Sequence, residues 1–250
     1  MTPLLQTLGL SVTFGVLRAN DDIDLEVHAG SLVGLIGPNG AGKTTFVDAL
    51  TGFVPSTGRI LFDGEEMQHL PAHQRARRGL ARTWQSLELF DDLTVRENLM
   101  VAAQRQSSSA FLLDLVRPRR HRADADVDRA LRRMGIADLA DRYPNRISQG
   151  QRKLVSAARA LAANPRLVCM DEPAAGLDSD ESQVLGRQLR SLVDDGTAVL
   201  LIDHDMGLVL DVCDVVYVVE FGRIIACGTP DEVRNDPAVV EAYLGGGANG

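Results

Sequence analysis

Leu32-Val33-Gly34-Leu35-Ile36-Gly37-Pro38-Asn39-Gly40-Ala41-Gly42-Lys43-Thr44-Thr45 is the stretch on which the fold turns. Its first five residues form an unbroken apolar run of strand length, the pattern of a strand covered on both faces. The next residues fill the template G-x-x-x-x-G-K-[ST]. In that template the glycines let backbone N–H groups turn inward on a polyphosphate, and Thr44 offers a hydroxyl to Mg²⁺. Thr44 to Leu50 reads as a helix start, whose N-terminal dipole favours an anion. The chain holds 24 arginines and two lysines, and one of the two is Lys43. A compact ammonium on a thin stem lies beside phosphates where a planar guanidinium is too wide.

At 250 residues the chain is long enough for one large domain or two small ones, and 45% hydrophobic residues can fill a sizeable core. A formal net charge of -8 argues against a nucleic-acid binder, which carries a basic face. The charge is uneven: Val101 to Gly135 contains eight arginines against four aspartates. The run Arg117-Pro118-Arg119-Arg120-His121-Arg122 is either a solvated helical face or a surface near anionic lipid headgroups. Cys169, Cys213 and Cys227 show no C-x-x-C spacing and lie in apolar contexts, so buried thiols in a reducing compartment are expected. No N-terminal stretch resembles a signal peptide, and no run approaches the roughly 20 apolar residues of a spanning helix. Work at a membrane then requires another chain to hold this one there.

The first 35 residues predict short strands, with Ile23-Asp24-Leu25-Glu26-Val27 alternating. Another strand is expected within Gly58–Gly64, and Arg82-Thr83-Trp84-Gln85 ends a short extended piece. From Thr94 to about Asp141 the pattern turns helical and Arg-rich, broken at Ser107-Ser108-Ser109 and Arg117-Pro118. Strands return at Leu167–Met170, Ala198–Ile202 and Val215–Val219, with helices between. This alternation predicts an α/β fold with a mostly parallel sheet covered on both faces, into which the helical stretch is inserted. The tail, Gly245 to Gly250, is expected to be disordered.

Four further segments carry chemistry. Leu167-Val168-Cys169-Met170-Asp171-Glu172-Pro173 is an apolar strand ending in two carboxylates. Ligands of open α/β sheets bind at the carboxyl ends of strands, which places this pair beside the phosphate loop. Asp171 then suits Mg²⁺, and Glu172 is free to polarise a water aimed at the γ-phosphate. Ile147-Ser148-Gln149-Gly150-Gln151 precedes an amphipathic helix; Ser148 and Gln151 form a capping box, yet such a helix start also binds anions, and the segment alone does not decide. Gln85, after its extended segment, either reaches the metal or the attacking water or is ordinary surface filler. His204 follows the strand Ala198–Ile202 between Asp203 and Asp205, a place where solvation is the ordinary reading. Phe14 either stacks on a base or packs in the core.

In this order the pieces resemble the ATP-binding cassette ATPases, from about Leu4 to Leu244. Walker A matches at Gly37, Pro38, Asn39, Gly40, Ala41, Gly42, Lys43, Thr44 and Thr45. The Q-loop matches at Gln85, the signature at Ser148, Gly150 and Gln151, Walker B at Leu167–Asp171, and the catalytic glutamate at Glu172. Gly176-Leu177-Asp178 looks like the D-loop, His204 like the switch histidine, and Phe14 sits where the family places its adenine-stacking aromatic. The usual signature is LSGGQ; here Ile147 replaces Leu and Gln149 replaces the first Gly, setting a side chain near the phosphate site of the opposite cassette. The resemblance implies a P-loop NTPase core of RecA type over 4–86 and 160–244. An N-terminal antiparallel β subdomain and a helical subdomain over 87–159 join it. It implies ATP and Mg²⁺ as ligands, with Thr44, Gln85 and Asp171 toward the metal. Glu172, His204 and Gln85 are implied in hydrolysis, and the signature residues and Asp178 in closing over nucleotide.

The implied partners are a second cassette, either a copy or a sister ATPase, transmembrane permease subunits and, indirectly, a solute-binding protein. The implied place is the cytoplasmic face of the inner or plasma membrane, held through the permease. The contact with the permease is expected between Gln85 and Asp141. Within the family, Phe14 to Ala19, Ala81 to Gln85, the insert near Ser107–Arg122, and the ending through Glu241-Ala242-Tyr243-Leu244 look like importers of branched-chain or hydrophobic amino acids. Urea importers and the lipopolysaccharide-export ATPase share much of that pattern, and the insert favours the importers. Soluble chromosome-organising cassettes need a long coiled coil between the Walker motifs, which this chain lacks the length to form. Translation-factor cassettes carry two copies per chain. A phosphate-loop kinase or GTPase leaves the signature and His204 unexplained.

Overall fold

The computed structural model describes residues 2–83, 89–103 and 120–245. Ten strands among them divide into two sheets. β1 (Leu5–Phe14), β2 (Leu17–Val27), β4 (Thr57–Phe62) and β5 (Glu65–Glu66) form an antiparallel sheet in the order β2-β1-β4-β5. β3 (Leu32–Ile36), β6 (Leu80–Arg82), β7 (Leu167–Asp171), β8 (Ala198–Ile202), β9 (Val215–Glu220) and β10 (Arg223–Gly228) form the second, ordered β10-β9-β3-β8-β7-β6. From β9 to β6 this sheet is parallel, and β10 closes one edge antiparallel.

The apolar run 32–36 is unbroken because both faces of β3 are covered. Leu32 and Ile36 join a core with the helices Gln149–Leu161, Ser179–Asp194 and Met206–Val212. Val33 and Leu35 join a second core with β1, β2 and Phe46 of the helix Lys43–Thr51. β7 and β8 divide their side chains in the same way: Val168, Met170, Val199 and Leu201 face the helices, while Leu167, Cys169, Leu200 and Ile202 face the antiparallel layer. The helices Val95–Ala103 and Arg120–Arg133 pack with Gln149–Leu161 through Val95, Leu99, Val127, Leu131 and Val155.

Two expectations need correction. The first 35 residues make two long strands and the start of a third rather than several short ones. β1 carries register shifts after Thr7, Leu10 and Val12, and such bulges break the period-2 pattern that betrays strand length. Cys227 is exposed on the edge strand β10, whereas Cys169 and Cys213 are buried as expected. The masking of length by bulges and the half-covered edge are both tertiary facts.

Gly34 shows how closely the layers approach. A Cβ there would lie 2.6 Å from Val209 Cγ1 and 3.0 Å from Cys213 Sγ on the far side of the core. Gly34→Ala should therefore overpack this seam and destabilise the protein by about 1–3 kcal/mol. The expected observation is a lower urea midpoint with an unchanged slope; an unchanged midpoint would show that the helix Met206–Val212 yields freely.

Candidate functional site

The carboxyl edge of the parallel sheet gathers the polar residues. Register brings Leu35 of β3 and Asp171 of β7 each opposite Ile202 of β8, so three strand ends lie side by side. The loop after β3 turns over this edge into the helix Lys43–Thr51. Gly42 is its N-cap, in a left-handed conformation at φ 103° and with no side-chain cap. A Cβ at Gly42 would lie 2.4 Å from the Ala19 carbonyl oxygen, so β2 packs directly against the loop. The buried Asn20 holds it there, donating through Nδ2 to the Gly42 carbonyl at 3.1 Å. The first-turn N–H groups of the helix are thus left for an outside acceptor.

Lys43 is buried, 6% exposed. Its Nζ donates to the carbonyls of Gly37 at 2.7 Å and Pro38 at 3.0 Å, inside the turn of the loop. Burial pulls the ammonium pKa down, and the carboxylates of Glu172, Asp171 and Asp203 oppose that pull. A cationic point charge and a set of backbone donors therefore share one concave surface. Asn39 to Thr45 line a cavity of about 440 Å³ together with Glu172, Phe14 and Phe221. Pro38 flanks a neighbouring cavity on the other side of the loop, toward Tyr243. Phe14 is half exposed, not core, which leaves its ring available at the cavity mouth.

Asp171 ends β7 almost fully buried, yet neither carboxylate oxygen finds a satisfactory hydrogen bond among the described residues. Burial raises its pKa, while Arg82, with Nη2 at 3.9 Å, and the Thr44 hydroxyl nearby lower it. An unsatisfied carboxylate beside a threonine hydroxyl at a phosphate-binding loop is a hard-oxygen donor set of the kind Mg²⁺ takes alongside phosphate oxygens. Thr44 and Asp171 thus fit that ion.

Glu172 follows at φ 48°, a left-handed conformation uncommon for a residue other than glycine. Its N–H donates to the Ile202 carbonyl at 2.7 Å, which anchors the strained residue to β8. Its carboxylate lies 3.9 Å from His204 Nδ1, and His204 is more than half exposed. Glu172 therefore lines the loop cavity with Lys43 and faces His204 on its other side. Gln85 lies outside the described residues.

Ser148, Gly150, Gln151 and Asp178 do not line the loop cavity. Ser148 caps the helix Gln149–Leu161, accepting from Gln151 N at 3.2 Å while Gln151 Oε1 accepts from Ser148 N at 3.0 Å. The helix-start reading of this segment is thus correct, and its anion-binding reading requires a phosphate brought from outside the chain. Asp178 caps the helix Ser179–Asp194 in the same manner.

One residue of the site escapes the sequence pattern. Asp203 is fully buried and its carboxylate accepts from Ala174 N at 3.1 Å, His204 N at 2.8 Å and Asp205 N at 3.0 Å. It fastens the loop after β7 to the loop after β8. An aspartate just beyond an all-apolar strand is the one available signal, and a solvated turn gives the same signal.

Comparison with known proteins gives the family and the fold. The family model described as ABC transporter matches residues 20–175, and the one described as branched-chain amino acid ATP-binding cassette transporter matches residues 223–249. The chain is 41% identical to the high-affinity branched-chain amino acid transport ATP-binding protein LivG of Escherichia coli K12, over 97% of this chain and 98% of that protein. It is 40% identical to the lipopolysaccharide export system ATP-binding protein LptB of the same organism, over 91% of each. The ADP conformation of MJ1267, an ATP-binding cassette of an ABC transporter, superposes with a TM-score of 0.87 at 30% identity, covering 98% of this chain and all of that one. The chain belongs to the ABC transporter family of ATP-binding cassettes, and its fold is the cassette ATPase fold.

The state of Asp171 gives a pH-dependent test. A carboxyl whose pKa is raised by folding destabilises the protein once ionised. That penalty is absent below the unfolded value of about 3.9 and grows as pH rises through the raised folded value. In buffer without Mg²⁺ or nucleotide, Asp171→Asn should raise stability at pH 7 by on the order of 1 kcal/mol. The gain should shrink as pH falls toward about 4. Thermal unfolding across pH measures it, and a variant less stable than wild type at pH 7 would show that the carboxylate is well paired.

Proposed function

We propose that this chain is the ATP-hydrolysing motor subunit of an importer for branched-chain or other hydrophobic amino acids. The observation that carries the ATPase mechanism is the meeting of Lys43, Thr44, Asp171 and Glu172 at three adjacent strand ends. The solute class rests on the match at residues 223–249, because identity to LivG and to LptB is nearly equal.

In this reading the first-turn N–H groups and the Lys43 ammonium bind the β- and γ-phosphates, within the loop from Gly37 to Thr45. Phe14 stacks on the adenine. Thr44 and Asp171 would hold Mg²⁺, which would neutralise phosphate charge; Gln85 is assigned to the same ion or to the attacking water. Glu172 takes the proton of that water as it attacks the γ-phosphorus, and His204, within 3.9 Å of Glu172 Oε1, senses the γ-phosphate beside it. Ser148, Gly150 and Gln151, remote from the loop of their own chain, meet the phosphates of a second cassette. The N–H groups of that capped helix start face the nucleotide there, with Asp178 beside them.

Two nucleotides are then buried between two cassettes, and loss of the γ-phosphate releases the pair, a ligand-driven shift of population. Among the described residues no helix is long and apolar enough to cross a membrane. The proposed site of work, from the kinship with transporter ATP-binding proteins, is the cytoplasmic membrane face, reached through permease subunits. The expected docking region, Gln85 to Asp141, borders a groove of about 480 Å³ at Ala102, lined also by Phe53, Ala76, Leu80 and Ala160. Phe53 is half exposed there, and the groove adjoins the start of the Gln85 segment. The docking region expected from the sequence lies in part at 85–88 and 104–119, outside the described residues. A solute-binding protein would set the solute and signal through the permease.

The test is made in the transporter reassembled from this chain, its partner cassette and permease. Leucine-loaded binding protein should stimulate ATP hydrolysis. Glu172→Gln should bind ATP as wild type does, hydrolyse it at least about a hundredfold more slowly, and accumulate the nucleotide-bound cassette pair. Near-normal hydrolysis by Glu172→Gln would remove Glu172 from the mechanism, and stimulation by another solute alone would replace the substrate.

A further inference from the structure

The chain's other lysine is Lys153, on the helix Gln149–Leu161 that Ser148 caps. Every other cation in the sequence outside histidine is arginine. Lys153 does not extend into solvent. Its Nζ donates to the Ala175 carbonyl and lies 3.5 Å from the Glu172 carbonyl. Both acceptors belong to the loop that runs from the end of β7 to the cap of the next helix at Asp178.

That loop needs holding. Glu172 sits in the left-handed region at φ 48°, a conformation that persists only where the surroundings enforce it. Asp203 grips the loop through the Ala174 N–H, and Ala175 N reaches back to the Glu172 carbonyl at 3.3 Å. Lys153 grips the opposite polarity, the carbonyls of Glu172 and Ala175. An ammonium with three donors around one point can serve two converging carbonyls, whereas a guanidinium spreads its donors across a plane. Burial lowers the Lys153 pKa, and the carboxylates of Asp203 and Glu172 counter this, so the charge sits among partners.

The geometry points to Lys153 as a positioning residue: it fixes the backbone of Glu172 and thereby aims its carboxylate, and it ties that aim to the helix whose start carries the signature. Closure of Ser148 and Gly150 over a nucleotide on the opposite cassette would move the same helix. The orientation of Glu172 at one site then depends on occupation of the other. This inference rests on the assignment of Glu172 as the base. It adds a contact within the chain, between two motifs that sequence reading treats as separate.

The experiment compares Lys153→Met, Glu172→Gln and the double variant in the reassembled transporter. Lys153→Met keeps an apolar stem as far as Cε but no donor. It should lower kcat about tenfold, the order by which a misaimed general base fails. KM for ATP and calorimetric ATP affinity should stay within about twofold of wild type, because Lys153 is not among the residues of the nucleotide cavity. Added to Glu172→Gln, it should lower the residual rate no further, since both changes act through one carboxylate. An unchanged kcat, a matching loss of ATP affinity, or a full tenfold loss in the Glu172→Gln background would each overturn the proposal. If Lys153→Met does not fold, Lys153→Gln, with a donor on a shorter stem, must show the same split with at least about a threefold fall in kcat. Near-normal hydrolysis by Glu172→Gln alone would instead overturn the role of Glu172, so the two failures are distinguishable.

Discussion

The Lys43 ammonium, buried against the carbonyls of Gly37 and Pro38 at the end of a doubly covered strand, is the constraint around which the rest is arranged. A cation at this depth is tolerated only with partners close by. Its neighbours follow from that requirement: two carbonyls in direct contact, and the carboxylates of Asp171, Glu172 and Asp203 at longer range. Those carboxylates end β7 and follow β8; β8 pairs with β3 and β7 lies just beyond it. The parallel order of the sheet brings them to one edge, and no hairpin connection among these strands would do so.

Buried side chains and a strand carbonyl that grip loop backbone hold this edge together. Asn20 holds the carbonyl of Gly42, Ile202 holds the N–H of Glu172, and Asp203 holds three N–H groups from two loops. Such contacts fix loop positions without occupying the side chains that face the cavity. Lys43, Thr44 and Glu172 therefore remain turned to a shared space. The unsatisfied Asp171 carboxylate costs stability in return, a common feature of sites shaped to receive an ion.

What the sequence made legible was contiguous. The phosphate loop lies in nine neighbouring residues, and Asp171-Glu172 sits at the end of an apolar run, so period and composition suffice to place both. The parallel sheet followed from alternating strands and helices. Less legible were features set by distant partners. β6 is three residues long and β10 is an edge, so neither has a strong pattern. Asn20 lies 22 residues from Gly42, and Asp203 resembles any acidic turn until Ala174 is placed beside it. Lys153 is one polar position on an amphipathic helix, and only the fold reveals the carbonyls under it. The segment at Ser148 had two readings, and a single chain shows the cap alone.

The most direct measurement is calorimetric titration of the full chain with Mg-ATP, comparing wild type with Lys43→Ala after confirming equal folding by circular dichroism. In the proposed site the Lys43 ammonium faces the phosphates, and charge-assisted bonds to such a group are each worth about 1.5–3 kcal/mol. The account therefore predicts that Lys43→Ala weakens Mg-ATP binding at least about tenfold, to the point of undetectable heat. Affinity equal to wild type in a folded Lys43→Ala protein would contradict it, and with it the assignment of the phosphate site to this loop.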